Sequence, residues 1–258
     1  MSSATMEICE RGELMDESFS FHHMEYILKQ NSGEYFYAKL NRRMPLDAAI
    51  DVDTLDPIRI PTEHICPQFA PGLTRAPEPL PKGCYVKRAS LLGYGTNVSG
   101  DDISRTVLGE ARICETLRKN PHPNIAKYHG CIEVDGRIHG LCLDRYVMTL
   151  QDRVETGTQF DADICFQRIK DGIRHLHNLG LIHNDINPRN IMIDADDNPV
   201  IIDFDSCKCE GEELVKGGTI DWEIENARYA TRENDFFSLS KLQEYLFASV
   251  SGFGVAAA

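Results

Sequence analysis

The stretch His183–Asp205 reads HNDINPRNIMIDADDNPVIIDFD. Two brief apolar runs, Ile191–Ile193 and Val200–Ile202, flank Asp194–Pro199, a turn-rich hexamer that predicts a tight hairpin. In an antiparallel hairpin the residue entering the first strand lies beside the residue leaving the second. Asn190 precedes the first run and Asp203 follows the second, so both side chains emerge at the same open end. Asp185 lies in the loop feeding that end. Two carboxylates and an amide oxygen converging on one spot are hard oxygen ligands, suited to Mg²⁺ held jointly with phosphate oxygens.

Working outward, residues 161–179 read as a helix. Asp161 is its cap, Ala162, Cys165, Phe166, Ile169, Ile173 and Leu176 form its buried stripe, and Gly180 closes it. A second helix fits 103–118 and a third 235–250. Ile125–Val134 and Gly136–Asp144 read as strands joined near Asp135-Gly136, a common hairpin dipeptide. Cys84–Lys87 is a short strand. Before it, residues 57–83 hold seven prolines, which predict an extended surface loop and the clearest internal boundary. That boundary separates an N-terminal segment, 1–83, from a domain over 84–258. Within residues 1–56 the pattern offers only two short strands, Glu34–Leu40 and Ala48–Val52. Strands first and helices later make this an α+β chain with a small β-rich lobe and a helical lobe.

The chain has 258 residues, 42% hydrophobic and 26% charged, with a formal net charge of −13. That acidity argues against nucleic acid or an anionic membrane as the main partner. Nine scattered cysteines without a CxxC pair read as reduced thiols rather than a disulfide framework or zinc site. The N-terminus lacks the apolar run of a signal peptide, which predicts a cytoplasmic or nuclear protein that is not secreted. Asn97-Val98-Ser99 then matches the glycosylation acceptor pattern by accident.

His183-Asn184-Asp185-Ile186-Asn187-Pro188-Arg189-Asn190 and Asp203-Phe204-Asp205 resemble the catalytic loop (H-R-D-x-x-x-x-N) and metal loop (D-F-G) of protein kinases. The steps of 5 from Asp185 to Asn190 and 18 from Asp185 to Asp203 suit that family. Asn120–Ile125 (NPHPNI) resembles the turn after the family's αC helix. Counting back places Glu110 at the αC glutamate and Lys87 at the β3 lysine. Leu143–Tyr146 resembles the hinge, Gly217-Gly218-Thr219 with Trp222 and Glu223 the end of an activation segment, and Asp235 the aspartate that starts αF. The resemblance covers about residues 84–250, and its wording resembles that of a kinase-like group in filamentous fungi. It implies a two-lobed fold using ATP and Mg²⁺. By the resemblance, Asp185 accepts the proton of the acceptor hydroxyl, and Asn190 and Asp203 hold the metal. Lys87, paired with Glu110, holds the nucleotide phosphates, and backbone groups of Asp144 and Tyr146 bond adenine.

Several positions depart from that pattern. No glycine-rich loop precedes Lys87, and Gly93-Tyr94-Gly95 with Gly100 lies after it, where it reads as a flexible insertion. Asn184 replaces the arginine that pairs a phosphorylated activation loop. Asn187 replaces the lysine that Ser/Thr kinases place two residues after the catalytic aspartate, and Arg189 is the candidate substitute. Asp205 replaces the last glycine of D-F-G. The chain ends 23 residues beyond Asp235, so the helical lobe reads as truncated after the αF-like helix, with a regulatory partner or the N-terminal segment covering it. Three functions fit these residues: a protein kinase acting on Ser or Thr rather than Tyr, a weakly catalytic pseudokinase scaffold, and a small-molecule phosphotransferase of the choline- or aminoglycoside-kinase type. The oligomeric state is not encoded in any of these patterns.

Overall fold

The computed structural model describes residues 6–16, 18–96, 100–214 and 218–253. Asn97–Ser99 and Gly217 lie outside them. The chain divides into two compact units. The first takes the chain up to Pro71 with Arg88–Leu108 and Glu133–Gly140. The second takes Gly72–Lys87, Gly109–Ile132 and the chain from Leu141 onward.

In the first unit, Met6–Met15 (β1), Phe21–Gln30 (β2), Tyr35–Leu40 (β3) and Ile58–Ile60 (β4) form an antiparallel sheet in that order. Only β3 matches an expected strand. The composition of β2 explains the miss: His23–Leu28 is buried on both faces, yet it includes His23 and Glu25, so no period-2 alternation survives. The strand expected at Ala48–Val52 does not form. Asp51 instead accepts from the Asp53 backbone and caps a 3₁₀ turn over Val52–Thr54, a local bond that competes with ladder pairing. The proline-rich stretch is likewise more ordered than a plain loop. It contributes β4 and one helical turn, Thr62–Ile65 (α1), which begins after Pro61. Both faces of the sheet are covered. Met24, Tyr26, Leu28, Ala38 and Leu55 fill one core, while Ile27, Ile60, Ile65, Cys66, Leu91, Tyr94 and Ile103 fill the other. The N-terminal segment therefore shares a core with residues beyond the expected boundary at 83.

Tyr85–Lys87 (β5) pairs with the far end of a later strand: Tyr85 lies opposite Leu143, Val86 opposite Cys142 and Lys87 opposite Leu141. The helix Gly100–Lys119 (α2) follows, longer at each end than its apolar spacing required. Tyr128–Val134 (β6) and Arg137–Leu143 (β7) form the expected hairpin, with Asp135 and Gly136 at φ +50° and +76° as a two-residue turn demands. Met148–Thr149 (β8) leads into Leu150–Glu155 (α3), where Thr149 and Asp152 make a capping box. Next comes Ala162–Asn178 (α4), whose cap Asp161 accepts from the Ile164 backbone at 2.9 Å. Leu181–Ile182 (β9), Ile191–Ile193 (β10), Pro199–Ile201 (β11) and Lys208–Cys209 (β12) are short, and Arg232–Phe253 (α5) is the last element. In this second unit, α4 packs against α5, β9 and β11. Ile169, Ile173, Leu176, Ile182, Ile191, Ile201 and Leu242 are all essentially inaccessible there. Among the described residues, no helix is long and apolar enough to cross a membrane.

Candidate active site

The hairpin forms with Ile191 opposite Ile201, and the Ile202 N–H donates to the Asn190 carbonyl at 3.0 Å to close its mouth. Asn190 and Asp203 therefore leave the ladder from the same end. Asp203 adopts φ +65°, a left-handed backbone that aspartate tolerates better than most residues. The second strand is fixed from behind by Asn124. Its carbonyl accepts from Ile201 N at 2.9 Å and its amide donates to the Pro199 carbonyl at 2.8 Å. The NPHPNI turn thus anchors the hairpin through a buried asparagine.

Asp203 meets Lys87 at this mouth. The Lys87 ammonium lies 2.6 Å from Asp203 Oδ1 and 2.5 Å from Glu110 Oε1. Glu110 also accepts from the Phe204 N–H at 3.1 Å, which ties α2 to the residue after Asp203. Burial works against the ammonium, but Glu110, and after it Asp203 and Asp205, outweigh that cost and raise the Lys87 pKa above its ordinary value. Lys87 stays charged at neutral pH.

The second cluster surrounds Asp185. Its Oδ2 accepts from the Asn190 amide at 2.8 Å. Its Oδ1 accepts from the Thr219 N–H at 2.9 Å, the Thr219 hydroxyl at 2.8 Å and the Asn187 amide at 3.1 Å. The Asn187 amide also reaches the Thr219 hydroxyl at 3.2 Å. Gly218 lets this segment approach so closely: a Cβ there would fall 2.7 Å from the Asn184 carbonyl oxygen. The Arg189 backbone donates to Asn187, but its side chain is exposed and makes no bond to this cluster among the described residues.

Asp235, fully buried at the start of α5, sets the loop's path. Its carboxylate accepts from the His183 N–H at 3.0 Å, the Asn184 N–H at 2.8 Å and His177 Nε2 at 2.8 Å. Asn184 sits at φ +65° and spends its amide on the carbonyls of Ile182 and Ser206, while its oxygen accepts from Asn234 at 2.9 Å. In the sequence Asn184 reads only as a lost arginine, and Asn234 carries no signal. No local pattern announces a bond across 50 residues.

At the expected hinge, the Asp144 N–H donates to the Lys127 carbonyl at 2.9 Å, and its carboxylate meets His129 Nε2 at 2.6 Å. The Tyr146 hydroxyl accepts from the Lys127 N–H at 3.1 Å. The Asp144 carbonyl and the Tyr146 N–H make no bond among the described residues, so both remain available. A cavity of about 410 Å³ adjoins this strip, lined by Pro81–Cys84, Asp144–Val147 and Asp194–Asp196. It includes neither Lys87 nor Asp203.

Residues 95–243, more than half of the chain, match the protein kinase domain family. The chain is 32% identical over 136 residues to the serine/threonine-protein kinase PSK1 of Saccharomyces cerevisiae, a match covering 50% of this chain and 10% of that protein. It is 31% identical over 96 residues to the serine/threonine-protein kinase/endoribonuclease IRE2 of Homo sapiens, covering 34% of this chain and 10% of that one. The chain thus spans about a tenth of each of these relatives. The matched residues contain α2 with Glu110, the loop around Asp185, the hairpin ending at Asp203 and the start of α5 at Asp235, and this chain belongs to the protein kinase family.

Proposed function

We propose that this chain is an ATP- and Mg²⁺-dependent protein kinase that phosphorylates a protein hydroxyl, Ser or Thr rather than Tyr. The observation that carries the reading is the Lys87–Glu110–Asp203 contact at the mouth of the hairpin that also presents Asn190. Magnesium suits this place because Asp203 and the Asn190 amide oxygen are hard donors, and Asn190 already turns its amide nitrogen inward to Asp185. Mg·ATP supplies the phosphoryl group and the charge neutralisation when bound. Lys87 holds nucleotide phosphate oxygens, and Glu110 holds Lys87. Asp185 orients the acceptor hydroxyl and takes its proton, with Asn187, Asn190 and Thr219 fixing the carboxylate's angle. The Asp144 carbonyl and Tyr146 N–H are suited to the adenine edge. Residues 84–258 form the kinase part in this reading, acting on or regulated by a protein partner in the cytoplasm or nucleus. The two relatives named as serine/threonine kinases support the choice of hydroxyl.

One observation favours a second reading, a weakly catalytic binding module. Among the described residues β5 is the edge of its sheet, so no glycine-rich strand pair lies beside Lys87 to cover phosphates. Calorimetry with Mg·ATP, followed by radiolabelled transfer to the protein itself and to generic substrates, separates the two. Asp203→Ala is expected to remove Mg²⁺-dependent nucleotide binding with the fold intact. Asp185→Asn keeps nucleotide affinity and lowers transfer by about 10²–10⁴-fold. Equal Mg·ATP binding by wild type and Asp203→Ala overturns the metal assignment. Binding without any transfer selects the second reading.

A further inference from the structure

Arg88–Thr96 follows Lys87 directly and includes Gly93-Tyr94-Gly95, which the sequence reads as part of a flexible insertion. Three charged side chains from three adjacent strands hold it instead. Glu10 on β1 accepts from the Ser90 hydroxyl at 2.6 Å and, through both oxygens, from Leu91 N at 3.1 and 3.2 Å. Glu25 on β2 accepts from Gly93 N. Lys39 on β3 donates to the Gly95 carbonyl at 3.1 Å and the Thr96 hydroxyl at 2.7 Å. Glu25 lies opposite Lys39, and Glu10 lies opposite Ile27, two residues from Glu25, so all three project from one face of the sheet.

The same face buries Leu91 and Tyr94, the latter with its hydroxyl 2.6 Å from His64 Nδ1. The fit is close: Gly95 has φ +75°, and a Cβ on it would fall 2.9 Å from the Tyr37 ring. Glu25 is fully buried, yet among the described residues its Oε1 has no hydrogen-bond partner, and neither has the buried Nε2 of His23 on the same face. A buried polar atom left without a partner is destabilising, so a carboxylate is a poor choice here for stability alone. What it achieves here is a grip on Gly93 N.

The gripped segment is continuous with both partners of the ion pair. Lys87 immediately precedes it. Beyond it, Ile103 of α2 joins the same core, and Glu110 follows two turns later on the same helix. We propose that Glu10, Glu25 and Lys39 are positioning residues for the Lys87–Glu110 pair, so that the N-terminal sheet sets the pairing through the 88–96 segment and α2. The kinetic consequence rests on the proposed kinase reading; the structural one does not.

The test compares wild type with Glu10→Gln/Lys39→Met and, separately, with Ser90→Ala, which weakens the Glu10 grip from the loop side. Hydrogen exchange is followed in peptides covering 88–96 and 109–119, Mg·ATP affinity by calorimetry, and folding by Trp222 emission. The double variant is expected to speed exchange about tenfold or more in 88–96 and to raise exchange in 109–119 with it. The same variant weakens Mg·ATP binding about five- to tenfold with Trp222 emission unchanged, and Ser90→Ala does the same more weakly. Faster exchange in 88–96 with 109–119 at its wild-type rate overturns the proposal, as does unchanged exchange in both. If the double variant fails to fold, Ser90→Ala decides by the same criteria. If wild type binds no Mg·ATP, the kinase reading fails while the exchange of 109–119 still decides this one.

Discussion

Replacing Asp235 by alanine tests how the loop His183–Asn190 is held. The carboxylate is completely buried and takes three donors: the backbone N–H groups of His183 and Asn184, and His177 Nε2. Alanine leaves all three facing a small apolar void, and His183, Asn184 and His177 are themselves buried, so water cannot easily replace the lost oxygens. Each stranded donor costs about 1–3 kcal/mol, and local relaxation recovers part, so the expected loss is about 3–5 kcal/mol. Against a total of roughly 5–15 kcal/mol for a protein, that is a large fraction of the stability. Asp235→Asn keeps one acceptor oxygen but turns an NH₂ toward the remaining donors, and is expected to lose about half as much. Urea unfolding followed by Trp222, the single tryptophan, provides the measurement. Its carbonyl accepts from Ser238 on α5 at 2.7 Å, and its ring lies 6.1 Å from that of Tyr245, so it reports on the helix that begins near Asp235. An Asp235→Ala protein within about 1 kcal/mol of wild type refutes the reasoning, since the three donors would then have found other partners.

Three further outcomes are expected. Glu110→Gln keeps an acceptor for Phe204 N but removes the charge facing Lys87. It should cost about 1–2 kcal/mol in urea unfolding, and Glu110→Ala about 1–3 kcal/mol more, because it also strands a buried N–H; equal losses would argue against the Phe204 bond. Burial, aided by Glu10 and opposed by the Gly93 bond and Lys39, raises the Glu25 pKa, so the folded protein holds that proton more tightly than the unfolded chain. The stability from Glu25 is therefore full below the ordinary glutamate value of 4.5 and is lost as pH rises through the raised one. Wild type relative to Glu25→Gln should then become more stable as the pH of urea titrations is lowered toward 4.5, and a constant difference would count against the buried carboxylate. Thr219→Glu sets a second carboxylate beside Asp185, where the native hydroxyl lies 2.8 Å from Oδ1, and should expose residues 218–231 to protease with no gain in activity. Increased protection of that segment would reveal a cationic anchor, with Arg189 or Lys208 the first to substitute.

Much of the candidate site is legible in the sequence because its key spacings are local. A six-residue turn between two apolar triplets can close only one way, so Asn190 and Asp203 had to share an open end. Asp161, Asp135-Gly136 and Gly180 likewise act within a few residues of themselves, and capping and turn chemistry can be read from such neighbours. The Lys87–Glu110 pair was reached by resemblance and counting. The contact of Lys87 with Asp203, 116 residues away, was not expected, since no periodicity spans that distance. Other features had no sequence signal at all. Buried polar residues erase the alternation of β2, so of the N-terminal sheet only β3 has a sequence signal, and the grip of Glu10, Glu25 and Lys39 on the segment after Lys87 has none. Asn184 looked like a loss, and only its contact with Asn234 gives it a place. Local backbone chemistry thus determined the hairpin and the caps. Tertiary structure decided which distant polar groups satisfy one another, because a buried donor takes whatever acceptor the packing brings to it.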